Sequence, residues 1–339
     1  MPDDLISIDL ALQGGGAHGA FTWGVVDRLL EDDRLKIEGI SGTSAGAMNA
    51  AALISGHARG GAPGAREALE LLWRRVSEAA RLSPLQRNPL DVFLGRWTLD
   101  SSPAFLASDM MTRLYSPYDF LTNSVNPLRQ ILADVVDFEL LARAPIKIFV
   151  TATSVSTGRA RVFRNGDLTP DAILASACLP TMFRAIEIDG EEYWDGGYSG
   201  NPTITPLVRE CESRDTILVQ INPVERKEKP RSATDILNRL NEVSFNAVLL
   251  KELRMIALLR QAANPGCREG VRWAEMRVHR VTSEMMTQLS ASSKLLAEWD
   301  FFLMLRDEGR SAAQAFLDSH GNDLGRRSTF DLDGLLEGM

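Results

Sequence analysis

The pentapeptide Gly42-Thr43-Ser44-Ala45-Gly46 is the segment of this chain best suited to covalent chemistry. It fits G-x-S-x-G and falls where an apolar, β-branched stretch gives way to an alanine-rich one. A serine at such a strand-to-helix bend lifts its hydroxyl above a sheet, while the flanking Gly42 and Gly46 permit strained dihedrals and close backbone approach. The helix N-terminus that follows adds positive potential where negative charge would develop on an attacked carbonyl. Glycine and serine are common in any turn, so the pentapeptide alone also fits an ordinary surface bend. Its strand–turn–helix setting favours a nucleophile.

A second segment, Gly14-Gly15-Gly16-Ala17-His18-Gly19, directly follows the first predicted strand. Successive N–H groups of Gly14, Gly15 and Gly16 can converge on a single oxygen. The run also fits G-x-G-x-x-G through Gly14, Gly16 and Gly19, the opening of a dinucleotide site. That fingerprint asks for an acidic residue at the end of the second strand. Here the strand ends Gly39-Ile40-Ser41-Gly42, and Asp32 and Asp33 precede it. A cradle for an oxyanion or a phosphate is the better reading.

A nucleophilic serine needs a base. Asp195 opens the tight turn Asp195-Gly196-Gly197, just after an Asp189-Gly190 hairpin signal. Its carboxylate either aims into the mouth above the sheet or binds its own backbone in the turn. The order Ser44, Asp195, His279 matches an α/β-hydrolase triad, but His279 lies in the alternating segment Met276 to Val281, where a structural role is expected. His320 reads as a loop residue and His57 as a surface one. The four histidines form no closely spaced ligand set, so no metal is expected. Cys178, Cys211 and Cys267 are too scattered for a disulfide framework, and the first two read as packed thiols.

These groups need a scaffold, and the chain alternates strand, turn and helix in the manner of an α/β sheet protein. Strands are expected over Leu5–Leu12, Leu35–Ile40, Pro145–Thr151, Arg161–Phe163, Thr216–Ile221 and Met276–Val281, with a hairpin over Ile186–Trp194. Helices are expected after Gly19, over Ala45–Ser55, from Pro63 or Ala65 to about Ala80, and from Pro170 to near Leu179, with a loop across Gly56–Gly64. Leu82 to Ser124 reads as irregular excursions with short helices. Beyond a linker at Glu225–Arg231, Ala233–Ala263 and Ser283–Leu305 show helical spacing, and Ser311 reads as the cap of a last short helix.

The chain has 339 residues, 45% of them hydrophobic, enough for a large core in one domain or two. A net charge of −8 argues against a nucleic-acid partner. No stretch reaches the length of a membrane span, and no basic, apolar leader opens the chain. A cytoplasmic location is the expectation.

Together, Gly14 to Gly19, Gly42 to Gly46 and Asp195-Gly196-Gly197 resemble the patatin-like phospholipase family. Ala175 to Pro180 ahead of Phe183, Tyr193, and Asn201-Pro202 add to the likeness, which covers roughly residues 5 to 222. The resemblance implies a three-layer α/β/α fold, a modified α/β-hydrolase with a mainly parallel sheet. The expected division is a catalytic core over 1–225 and a mainly helical extension over 226–339, packed on the core, with a strand near 276–281. It implies a Ser44–Asp195 dyad without histidine, Gly14, Gly15 and Gly16 as the oxyanion loop, and no cofactor. The implied activity is hydrolysis of acyl esters in phospholipids, lysophospholipids or related lipids, with transient contact at a membrane surface and a homo-oligomer as a further option. An acyltransferase using the same intermediate, and a non-catalytic lipid- or nucleotide-binding module, are the competing readings. The family often carries Arg or Lys where this chain has His18, which weakens the expected role of that residue toward a head group or in the loop.

Overall fold

Alternation along the strands sets the layers of this protein. The computed structural model describes residues 5–120, 126–226, 229–231, 233–263, 266 and 268–337. Cys267, the end of the irregular stretch past 120, and positions 227 and 228 of the expected linker lie outside them. In β1 (Ile6–Leu12), Ile8, Leu10 and Leu12 face one core, and Ala11 faces another. The same split separates Ile148 and Val150 from Phe149 in β3 (Lys147–Ser154), and Ile217 and Val219 from Leu218 in β7 (Asp215–Val219). A strand buried on both faces must be apolar on both, so helices cover each side of the sheet. Helices Gly19–Leu29, Ala45–Ala80 and Trp299–His320 contribute to the first core, and Thr205–Glu210 and Ala233–Ala262 to the second.

The other strands are β2 (Leu35–Gly42), β4 (Ala160–Arg164), β5 (Ile186–Ile188), β6 (Glu191–Asp195) and β8 (Arg277–Val281). The sheet runs β5-β6-β3-β2-β1-β7-β8, with β4 also paired to β3. Strands β3, β2, β1, β7 and β8 run parallel to one another; β4 and β6 pair antiparallel with β3, and β5 antiparallel with β6. The protein is therefore a three-layer α/β/α structure with a mainly parallel sheet. Asp189 and Gly190, at φ of 57° and 79°, form the expected hairpin turn between β5 and β6. Among the described residues, no helix is long and apolar enough to cross a membrane.

Three local expectations differ from the structure. The loop expected over Gly56–Gly64 is a kink at Gly60 and Gly61 inside the helix Ala45–Ala80. Gly61 adopts a φ of 63°, which glycine tolerates cheaply, so the helix bends within two residues. Ser311 caps nothing: its hydroxyl donates to the Asp307 carbonyl one turn back, inside the continuous helix Trp299–His320. Burial of Phe301, Phe302, Leu305, Ala313 and Phe316 carries that helix through Gly309. The helix expected from Ser283 is two 3-10 turns, Glu284–Thr287 and Ser292–Leu295. The Ser293 hydroxyl, bonded to the Ser290 carbonyl at 2.7 Å, competes there with a regular helical ladder.

Gly309 lets the C-terminal helix approach Gly19–Leu29 so closely that a Cβ would strike the Phe21 carbonyl. Gly309→Val should therefore cost about 1–3 kcal/mol by overpacking, read as a lower thermal midpoint. An unchanged midpoint would show that the two helices separate freely.

Candidate active site

Ser44 sits on the bend between β2 and the helix Ala45–Ala80, at the C-terminal edge of the parallel strands, where ligands of open α/β sheets bind. Its φ of 55° is unusual for a residue with a side chain, a strain of about 1–3 kcal/mol. The bend is held from several sides. The Ser44 N–H donates to Ser176 Oγ at 2.9 Å, and its carbonyl accepts the Met48 N–H at 3.1 Å. The Thr43 hydroxyl donates to the Gly200 carbonyl at 2.6 Å. Gly46 has no room for a Cβ, which would collide with the Leu12 carbonyl at the end of β1. Ser44 itself remains partly exposed, so its hydroxyl is reachable.

Asp195 ends β6, opposite Ala152 of β3. Its N–H donates to the Cys178 carbonyl at 2.8 Å, and its carbonyl accepts the Thr153 hydroxyl at 2.8 Å. Both sequence alternatives for the carboxylate coexist. Oδ1 accepts the Gly197 N–H at 2.7 Å, capping the turn Gly196–Tyr198, and the Ser44 hydroxyl is near enough to lower the carboxylate's pKa. Burial dominates its chemistry: desolvation lifts the pKa from 3.8 to about 7, against the lowering effects of Gly197 and Ser44. Gly196 packs against the Thr151 carbonyl and Gly197 against the Phe245 ring, each too close for a side chain.

The glycine run lies against the same bend, since a Cβ on Gly14 would fall 2.9 Å from Ser44 Cβ. Three converging amides were the expectation, and one of them is engaged elsewhere. The Gly14 N–H donates to Asn201 Oδ1 at 2.8 Å. Among the described residues, no acceptor takes the N–H of Gly15 or Gly16. The expected approach of His18 to a head group is also corrected. His18 is 2% exposed, packed edge-on against Phe301, with Nε2 2.7 Å from Ser293 Oγ. Desolvation, then the nearby Lys294 and Arg226 charges, push its pKa well below 6.5, so it is neutral beneath the loop.

His279 does not join Ser44 and Asp195. Its Nε2 is 3.0 Å from Asp215 Oδ1 and its Nδ1 3.0 Å from Thr329 Oγ1. Burial raises the Asp215 pKa, but the bonds from His279, Arg277 and the Gly325 N–H outweigh it and bring the pKa to about 2. His320 pairs with Asp323 at the end of the last helix. Cys178 and Cys211 are buried, and burial raises both thiol pKa values, that of Cys178 to about 12. No cluster of three or more His, Cys, Asp or Glu side chains suited to a metal occurs among the described residues. Sequence reasoning did not reach the support around the site: Ser176 under Ser44, Asn201 and Asn222 on Gly14, and Gln13 binding the Ile221 and Asn222 N–H groups at 2.9 and 2.8 Å. Ser176 and Asn201 stand in segments singled out by resemblance, but nothing local marks their partners.

Two outcomes follow. Ser44→Ala removes a hydroxyl that lowers the Asp195 pKa, so the carboxyl should titrate higher in the variant than in the wild type, followed by its infrared band or ¹³C resonance. An unmoved titration would break the pairing of the two residues. His279→Ala removes one of three donors from the Asp215 carboxylate, which keeps Arg277 and the Gly325 N–H, and should cost about 1–3 kcal/mol in thermal or denaturant unfolding, leaving the Asp195 titration where it is.

Among curated proteins, none matches this chain. Among solved structures, VipD from Legionella pneumophila aligns over 97% of this chain and 78% of its own, at 15% identity and a TM-score of 0.33. The model of the family "Patatin-like phospholipase" matches residues 10–208, a span that contains the glycine run, Ser44 and Asp195. That match covers more than half of the sequence, and the chain belongs to the patatin-like phospholipase family.

Proposed function

We propose that this protein is a serine lipid acyl hydrolase in which Ser44 is the nucleophile and Asp195 its general base. Membership of the family points to lipid acyl hydrolysis in general terms. The observation that carries the residue assignment is the buried Asp195 carboxyl group, its proton affinity raised by desolvation and lowered in part by the hydroxyl of Ser44, a serine held at positive φ. An ordinary aspartate, with a pKa near 3.9, is a poor acceptor for an alcohol proton. At about 7, its proton affinity suits a base working near neutral pH.

In the first step the Ser44 Oγ–carbonyl bond forms as the hydroxyl proton passes to Asp195. The carbonyl π electrons move onto oxygen, facing the free N–H groups of Gly15 and Gly16. Collapse breaks the acyl–oxygen bond, and the leaving alcohol takes the proton back from Asp195. Water then adds to the acyl-Ser44 ester by the same route and releases the fatty acid. Phospholipids, lysophospholipids or related acyl lipids are the substrates, met at a membrane surface. The nucleotide-binding alternative loses ground because the end of β2 leads into Ser44 rather than an acidic residue.

A fluorophosphonate probe should label the wild type and leave Ser44→Ala unlabelled. Asp195→Asn should slow acylation by a soluble activated ester roughly 10²–10⁴-fold while the protein stays folded. Near-normal acylation by that variant would overturn the role of Asp195. Since the base works only when ionised, kcat/KM should rise with pH through about 7. Product analysis with phospholipids, lysophospholipids and added alcohol acceptors separates hydrolysis from acyl transfer.

A further inference from the structure

Against the glycine loop a half-buried lysine, Lys294, has no carboxylate of its own. Lys294 Nζ donates to Asn222 Oδ1 at 2.7 Å. The acid nearby, Glu242, is already bound by Arg226 at 2.5 Å and Arg239 at 3.1 Å. A buried ammonium held by a neutral amide is a poor stabilising device, so its geometry calls for another explanation.

An ammonium only donates, so the amide of Asn222 must turn its oxygen to Lys294 and its nitrogen the other way. Asn222 Nδ2 then donates to the Gly14 carbonyl at 2.6 Å. In a planar trans peptide the carbonyl and the next N–H point in opposite directions. Fixing the Gly14 carbonyl toward Asn222 thus aims the Gly15 N–H away from it, out of the loop. Donation into the carbonyl also polarises that peptide and strengthens its N–H as a donor. Lys294 holds the loop a second way: its own carbonyl lies 2.5 Å from where a Gly16 Cβ would stand, and Gly16 has a φ of 59°. Asn222 is itself pinned by its N–H to Gln13 Oε1 at 2.8 Å, and Gln13 Nε2 donates to Asn246 Oδ1 at 3.1 Å.

We infer that Lys294, acting through Asn222, is the positioning residue that sets the orientation of the Gly14–Gly15 peptide and so aims the Gly15 N–H at the oxygen of the substrate carbonyl. This rests on the hydrolase reading for the identity of that oxygen, but the orientation of the peptide does not depend on it. The groups facing the Lys294 ammonium are Asn222, Glu242 with its partners Arg226 and Arg239, and the ring of His18. Desolvation lowers the lysine pKa to about 8; Glu242 opposes this and Arg226 adds to it. Above that pH the neutral amine no longer dictates the amide orientation.

The test uses the full chain and the variants Lys294→Met and Lys294→Arg. With a soluble p-nitrophenyl ester, Lys294→Met should lose about tenfold or more in kcat with KM within about twofold, against up to 10²–10³ for a lost oxyanion donor. The wild-type kcat should fall on an alkaline limb near pH 8, which Lys294→Arg, charged at all these pH values, should move upward while restoring the rate. Rates are normalised to the folded fraction by thermal melting. Glycine-selective ¹⁵N spectra give a readout without turnover: the Gly15 amide should titrate near pH 8 in the wild type and shift in Lys294→Met. Wild-type kcat in Lys294→Met, or a Gly15 amide that neither shifts nor titrates, overturns the inference. A titrating Gly15 in a protein whose Ser44 reacts with no fluorophosphonate supports the clamp and faults the hydrolase reading alone.

Discussion

Burying one carboxylate is the constraint on which the site depends. Asp195 is enclosed at the junction of β6 and a glycine turn, and desolvation raises its pKa from 3.8 to about 7. That difference corresponds to a destabilisation on the order of 4 kcal/mol once the group is ionised. The sign is definite. The native carboxyl keeps its proton up to about pH 7 while the unfolded one releases it near 3.8, so stability falls as pH rises across that window. A fold meets such a cost only by stability gained elsewhere, here in two apolar cores on either side of a sheet. The same burial raises the proton affinity of the carboxylate, so instability and basicity have a single cause.

The strand ends deliver the remaining groups to that carboxylate. Strands β1, β2 and β3 lie side by side and parallel, so the residues that leave their C-terminal ends meet at one edge. Gly14 leaves β1, Ser44 leaves β2, and Asp195 arrives antiparallel against the end of β3. Gly14 lies so close to the bend that a Cβ on it would crowd the Thr43 carbonyl and Ser44 Cβ. The sheet thus sets the distances between groups that are far apart in sequence, and the flanking helices keep the sheet from shifting.

Much of this arrangement was legible in the sequence because its signals are local. Ser44 stands out by its place between an apolar strand and an alanine-rich helix, and the Asp189-Gly190 turn announces the hairpin that delivers Asp195. The errors share the opposite property. Ser311 looked like a cap, yet burial of Phe301, Phe302 and Phe316 against another helix overrides that local preference. His18 looked available, yet the core closes over it through Phe301 and Ser293, about 280 positions away. Gly14 looked like a donor to substrate, but its partner Asn201 is 187 positions on. Contacts of that range leave no periodic trace in a single sequence.

The C-terminal segment shows why the matched span of residues 10–208 is not the whole site. Phe301 and Phe302 complete the core under the first helix, Ser293 receives the His18 ring, and the Lys294 carbonyl fills the space that Gly16 leaves open. A loop of three glycines is conformationally loose by composition, and ordering it carries an entropic cost that contacts must offset. In this chain those contacts come from residue 201 and, beyond the matched span, from residues 221–222 and 292–301, outside the strand–turn–helix unit to which the loop belongs. His18 is neutral, so the cation set against the loop is Lys294, which arrives from the far end of the chain. The glycines supply a backbone that bends to many shapes, and the distant segment selects one of them.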